Sequence, residues 1–129
     1  MTEVISGLQA ISVHIRDIQK ARTFYREVLG LKEVSFDGAA NRAVFAIPGI
    51  PSRLTMHIMA PEEGGREPGT VSGVSFRSTD PAAACEEITR RGGVVTVEPR
   101  NVEAGGTTFV RAVFADPDGN EFVLSNRQD

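Results

Sequence analysis

One sequence unit occurs twice in this chain: residues 10–34 read AISVHIRDIQKARTFYREVLGLKEV, and residues 73–97 read GVSFRSTDPAAACEEITRRGGVVTV. At a constant offset of 63 residues, the two copies align Asp17 with Asp80 and Gly30 with Gly93. Each copy contains an alternating apolar run, an aspartate, a helical pattern, a glycine and a second strand-like run. A repeat of about half the chain length predicts two copies of one supersecondary unit within one domain.

The elements predicted around this unit follow the same order in both halves. In the first half, Asp17 is a suitable N-cap for a helix whose apolar stripe ends at Gly30. In the second half, Asp80 and Pro81 begin the corresponding helix. Alternating or β-rich runs predict strands over 8–15, 31–36, 42–47, 53–59, 74–77, 94–97, 107–115 and 121–125. Each half therefore has a predicted order of βαβββ.

The composition is typical of one globular domain. The chain has 129 residues, of which 40% are hydrophobic and 24% charged, with a formal net charge of −3. Its Lys and Arg residues are scattered, which argues against a nucleic-acid partner. Cys85 is the only cysteine, so an internal disulfide is excluded and a reducing cytoplasm is favoured. No signal peptide and no membrane span of about 20 apolar residues is predicted.

A single domain over 1–129 is expected to contain two modules. The first module covers about 8–60 and the second about 71–127. Between them, residues 61–70 are charged and rich in glycine, which is typical of a linker.

Two motifs relate the chain to a known group of proteins. Residues 17–31 read DIQKARTFYREVLGL, and residues 105–124 read GGTTFVRAVFADPDGNEFVL. Together with the paired modules, they resemble the vicinal oxygen chelate superfamily, which includes glyoxalase I, bleomycin-resistance proteins, fosfomycin-resistance enzymes and extradiol dioxygenases. The resemblance covers about 8–126 and implies an α+β fold, in which the modules form a curved, cup-like mixed sheet with helices outside and a ligand inside. Such motifs specify a fold rather than a reaction.

The resemblance also implies four positions for metal ligands. The enzymes of that superfamily usually hold a divalent metal with His, Glu or Gln from four strands. The corresponding residues here are Ala10, His57, Gly73 (or Val74 if the register moves by one) and Val123. A catalytic site needs about three protein ligands, and only His57 offers a donor. No cofactor is therefore expected, and a divalent metal is disfavoured.

Strand parity predicts which side chains line the cup, because successive side chains point to opposite faces. The polar set predicted to face inward comprises Ser12, His14, Thr55, His57, Ser75, Arg77, Glu121 and Ser125. The apolar set predicted to pack under the helices comprises Ile11, Val13, Ile15, Leu54, Met56, Ile58, Val74, Phe76, Phe122 and Leu124. In the alternative arrangement, small residues such as Ser12 and Ser75 satisfy one another inside a filled barrel.

The two histidines have three interpretations. His14, His57 and Glu121 could form a rearranged metal site of two imidazoles and one carboxylate. Geometry argues against that site. His14 lies four residues along its strand from the family position, about 13 Å at strand rise, whereas His57 is not displaced. One or both histidines could instead bind a ligand or act as acid or base near neutral pH. The third interpretation is a hydrogen-bonded structural role.

Arginine is the other candidate residue type. Arg77 occupies the repeat position of His14, and with His57 it suggests an anionic or carbonyl-bearing ligand held by a guanidinium fork. In the alternative, Arg77 extends from the mouth of the cup into water. The orientation of Arg111 is not settled at this stage. Cys85 is expected to pack in a helix, and the two aspartates of DPDG are expected to form a turn.

Three functions remain open on these grounds. The first is a small-molecule binder, since three of the four metal positions lack a donor. The second is a metal-dependent lyase, isomerase or dioxygenase with an atypical ligand set. The third is a metal-free enzyme in which His14 or His57 acts as acid or base. By analogy with relatives of two modules, a homodimer is expected, with exchange of modules as one way to form it.

Overall fold

The computed structural model describes residues 3–58 and 67–128, which fold as two βαβββ modules. Most of the predicted linker 61–70 lies outside the described residues. The first module contains β1 (Ala10–His14), α1 (Ile18–Thr23), β2 (Glu33–Asp37), β3 (Arg42–Ala46) and β4 (Arg53–His57). The second contains β5 (Val74–Arg77), α2 (Pro81–Arg90), β6 (Val94–Ala104), β7 (Thr107–Ala115) and β8 (Glu121–Ser125). The predicted α+β class is confirmed.

Each module builds its own open, mixed sheet of four strands. Sheet A has the order β1-β4-β3-β2, and sheet B has the order β5-β8-β7-β6. The pairs β1·β4 and β5·β8 are parallel, and the remaining pairs are antiparallel. Strands β1 and β5 are therefore both edge strands at corresponding positions of the two sheets.

The first helix begins as expected and then widens. The Oδ1 atom of Asp17 accepts hydrogen bonds from the amides of Gln19 and Lys20 at 2.9 and 3.2 Å. After α1 the chain continues as a π-helical turn over Phe24–Val28. The prediction of one regular helix up to Gly30 did not include this turn. The turn buries Phe24, Tyr25 and Val28 together, and it lies where the first module meets the second.

Strand β6 is longer than the predicted strand 94–97. It continues past Pro99 to Ala104, with register shifts between Val95 and Val97 and between Val97 and Arg100. Because β6 is an edge strand of sheet B, the missing N–H of Pro99 is tolerated at an irregularity of this kind.

One continuous core connects the modules. The ring of Tyr25 meets the ring of Phe122 edge-on at 6.3 Å, and the ring of Phe24 lies 6.4 Å from that of Phe114. Most of the predicted outer set is buried there: Val13, Ile15, Leu54, Met56, Phe122 and Leu124. Ile11, Val74 and Phe76 are partly buried and pack against this core. Ile58 departs from the prediction, because it lies just beyond β4 and is 42% exposed.

A buried carboxylate joins the modules by hydrogen bonds. The Oδ2 atom of Asp116 accepts from the hydroxyl of Tyr25 at 2.7 Å and from the side-chain amide of Asn120 at 2.8 Å. Its Oδ1 atom accepts from the backbone amides of Asp118 and Asn120. Asn120 also donates to the carbonyl of His14. Burial, followed by the negative charge of Asp116, raises the pKa of Tyr25 well above its usual value, so the phenol remains a donor.

A glycine after α2 marks a close approach between the modules. A Cβ atom at Gly93 would lie 2.6 Å from Cγ2 of Ile88 and 3.0 Å from Cγ1 of Val28. We expect Gly93→Ala to lower the free energy of unfolding by about 1–3 kcal/mol, because these buried groups must move. Urea unfolding measures the change. Gly7→Ala is the control, since no atom lies within 4 Å of its Cβ position, and equal effects of both variants would contradict the expectation.

Candidate functional site

A cavity of about 870 Å³ lies over the inner face of sheet B. The first module closes it with Leu8, Ile11 and the segment 47–50. Sheet B contributes Ser75, Arg77, Phe109, Arg111, Val123 and Ser125. The cavity therefore has an apolar wall on one side and a floor that carries hydroxyl and guanidinium groups.

A row of arginines crosses this floor. The strand register places Arg100 opposite Arg111, Arg111 opposite Ser125, and Ser125 opposite Arg77. Directly opposite residues share a face, so these four side chains form one row across sheet B. Arg77 and Arg111 line the cavity, and Arg127 lies at its rim, where its guanidinium stands 5.1 Å from the centre of the Phe109 ring.

The charges in this row lack acidic partners within the described part of the chain. There, Arg77, Arg100 and Arg111 form no ion pair, and Nη1 of Arg77 donates to the carbonyl of Arg127 at 2.7 Å. Like charges placed directly opposite on a sheet are destabilising, as at Arg100 and Arg111. By contrast, five arginines elsewhere are ion-paired: Arg16, Arg22, Arg26, Arg90 and Arg91. A bound anion would relieve the repulsion in the row through charge-assisted hydrogen bonds.

The structure divides the eight residues predicted to line the cup between a cavity, an exposed position and sheet A. Ser75, Arg77 and Ser125 line the cavity over sheet B. Glu121 is exposed and does not line it. The remaining four, which are Ser12, His14, Thr55 and His57, lie together on sheet A and do not line that cavity.

Arg111 lines the cavity, although the sequence analysis left its orientation open. The sequence feature that indicates this orientation is the tight turn 116–119, which pairs Ala115 with Glu121 and fixes the register of β7 against β8. Counting back from that turn puts Arg111 opposite Ser125, on the face already predicted to point inward.

The sheet A group is hydrogen-bonded and stacked. Ser12 Oγ lies 2.9 Å from Thr55 Oγ1, whereas the filled-barrel alternative paired Ser12 with Ser75. The rings of His14 and His57 stack with centroids 4.7 Å apart, and among the described residues neither buried Nε2 atom has a hydrogen-bond partner. Parallel pairing sets His14 beside His57, so both histidines lie four residues along their strands from the pair formed by Ala10 and Arg53.

The residues at the implied metal positions do not fit a divalent ion. Ala10, Gly73 and Val123 have no side-chain donor atom, and the neighbour of Ala10 on β4 is Arg53 rather than His57. Within residues 3–58 and 67–128, no three His, Cys, Asp or Glu side chains converge. The buried thiol of Cys85 has a pKa raised by burial and then by Glu98, which agrees with a packing role.

The histidine stack leads to a pH-dependent stability. Burial lowers the pKa of His57, and repulsion from His14 and Arg42 lowers it further. Below a pH of about 6.5 the unfolded chain binds a proton that the folded His57 resists, so stability is expected to fall as the pH decreases through that range. His57→Gln should remove part of this dependence. An NMR titration of His57 with a midpoint at or above about 6.5 would contradict the expectation.

With this geometry established, comparison with known proteins gives a family. The model of the Glyoxalase/Bleomycin resistance protein/Dioxygenase superfamily matches residues 7–124. The chain belongs to this superfamily. It is 34% identical over 123 residues to a lactoylglutathione lyase of Escherichia coli O157:H7. The aligned region covers 91% of this chain and 90% of that protein. The resemblance deduced from the motifs is confirmed.

Solved structures of the superfamily share the fold. TnmS3, an antibiotic-binding protein from Streptomyces sp. CB03234, has a TM-score of 0.79 and 29% identity, covering 95% of this chain and 97% of its own. A superfamily member from Sphaerobacter thermophilus DSM 20745 has a TM-score of 0.78 and 28% identity, covering 95% and 98%. In the described part of this chain, neither helix has the length and apolar character required to cross a membrane.

Proposed function

We propose that this superfamily member binds a small anionic or carbonyl-bearing molecule in the cavity over sheet B. The observation that carries the proposal is the row containing Arg77, Arg100 and Arg111, which pair with no carboxylate of the described chain although the protein is acidic overall. Each guanidinium presents several N–H donors in a planar fork that matches two oxygens of a carboxylate or phosphate.

The remaining walls suit the body of such a molecule. Phe109, Val123 and Ile50 provide apolar contact, while the hydroxyls of Ser75 and Ser125 lie on the same floor as the arginines. A cavity of about 870 Å³ is in the range of small-molecule sites, which are mostly apolar with a few placed polar groups.

Binding without a family metal is favoured over metal-dependent chemistry. The relatives include two proteins named as lactoylglutathione lyases and one named as an antibiotic-binding protein. Ala10, Gly73 and Val123 do not fit the ligand set that metal-dependent members use, and this observation favours the binding role. An acid–base role of His14 or His57 in the cavity has no such support, because neither histidine lines it.

A matched pair of probes tests the proposal. Benzoate and benzamide have nearly the same shape, but only benzoate carries a charge. In calorimetric titrations, benzoate is expected to bind about tenfold more tightly than benzamide, because its charge-assisted hydrogen bonds are stronger. The difference should shrink as sodium chloride is raised, since salt screens partly exposed charges. Equal affinities would contradict the preference for an anion over a neutral carbonyl compound, and no binding of either probe would contradict the proposal as a whole.

A further inference from the structure

A second cavity lies on the opposite, helical side of sheet B. It has a volume of about 340 Å³ and lies between α2 and the first module. Its walls include Leu31 from the first module, Ala84 and Ile88 from α2, and Phe114 from β7. These walls are apolar, so the cavity suits a hydrocarbon or aromatic group rather than a charged one.

The two cavities lie on either side of one edge strand and share part of their lining. Both are lined by Ile47, Pro48, Phe76 and Arg77. Strand β5 is an edge strand of sheet B and has no neighbouring strand on its outer side. Successive side chains of a strand point to opposite faces, so Phe76 points to the helical side and Arg77 to the inner side. Arg77 therefore stands at the junction between the arginine row and the apolar cavity.

The charged groups around the second cavity already have partners. Arg91 donates to the carbonyl of Val28 at 3.0 Å and lies 3.1 Å from the carboxylate of Glu87. Glu87 also pairs with Arg90. Apart from Arg77 at the junction, these pairs leave no unmatched charge among the residues that line the second cavity, in contrast to the arginine row on the other side of β5.

We infer that the ligand of this protein is an amphipathic anion. Its charged head binds Arg77 and Arg111, and its apolar arm passes around the edge of β5 into the second cavity, where it packs against Ala84, Ile88 and Phe114. This inference rests on the proposed function and adds the chemical class of the ligand. Each methylene that the arm buries should tighten binding by about fourfold until the second cavity is filled.

A series of probes with one head and a growing arm tests the inference. Benzoate, 4-butylbenzoate and 4-octylbenzoate are titrated calorimetrically into the full-length protein. Affinity is expected to rise with arm length. Ala84→Leu fills part of the second cavity. This variant should lower the affinity for 4-octylbenzoate by about tenfold or more and leave the affinity for benzoate unchanged. Ala82→Leu is the matched control, because Ala82 is exposed on the same helix and lines neither cavity.

The outcomes distinguish the inference from the proposed function. Unchanged benzoate binding by Ala84→Leu shows that the variant is folded and that the inner site is intact. If benzoate binds the wild type but the longer probes bind no more tightly, the apolar arm is refuted and the proposed function stands. Equal affinities of Ala84→Leu and Ala82→Leu for 4-octylbenzoate would also refute it. If benzoate itself does not bind, both ideas fail.

Discussion

Replacing Asp116 with alanine is expected to lower the free energy of unfolding by about 3–5 kcal/mol, the largest effect of any polar substitution considered for this chain. The carboxylate is buried and accepts four hydrogen bonds, from the hydroxyl of Tyr25, the side chain and amide of Asn120, and the amide of Asp118. Removing it leaves buried donors from both modules without an acceptor. Urea unfolding followed by circular dichroism measures the change.

An exposed aspartate provides the control for this substitution. Asp37 accepts hydrogen bonds from the amides of Ala39 and Ala40, but in an exposed turn where water can replace it. Asp37→Ala should therefore cost less than about 1 kcal/mol. Tyr25→Phe should fall between the two, because it removes one donor and leaves the carboxylate in place. Similar losses for Asp116→Ala and Asp37→Ala would contradict the role of Asp116 as the link between the modules.

Replacing Arg77 or Arg111 with alanine is expected to weaken benzoate binding by about tenfold each, and replacing both should reduce binding below detection. Both side chains line the cavity from the same row of sheet B. The unliganded protein should lose little stability in Arg111→Ala, because this change removes a like charge opposite Arg100. Loss of binding without loss of stability is typical of residues kept for function.

Arg26→Ala is the control for the arginine variants. Arg26 lies on the π-helical turn, is paired with Glu27 and lines neither cavity. The Arg26→Ala variant should bind benzoate like the wild type, since the charge it removes lies outside the cavity and is screened by salt. An equal loss in all three single variants would indicate a general charge effect rather than a site at Arg77 and Arg111.

The sequence was sufficient to predict the repeat, the order of the elements and the inward orientation of Arg77. Periodicity determines these features locally, and the two modules follow the same pattern. The orientation of Arg111 could also have been predicted, because the turn 116–119 sets the register of β7 against β8. The extension of β6 past Pro99 could not be predicted, because a proline is tolerated there only when β6 is an edge strand.

The cavity itself depends on tertiary contacts that periodicity does not encode. Leu8 and Ile50 precede β1 and β4, yet both close a cavity whose floor belongs to sheet B. The stacking of His14 on His57 depends on the parallel register of β1 and β4, which the spacing between two separate strands does not fix. For the same reason, sequence parity treated the polar residues of both sheets as one site.

Both proposals require an anion to bind at the arginine row of sheet B. A two-dimensional NMR titration that follows the arginine Nε–Hε signals of the labelled protein as benzoate is added tests this binding directly. We expect the signals of Arg77 and Arg111 to shift most and to saturate together, while that of Arg26 does not move. Shifts confined to His14 and His57, or equal small shifts of all arginines, would contradict it.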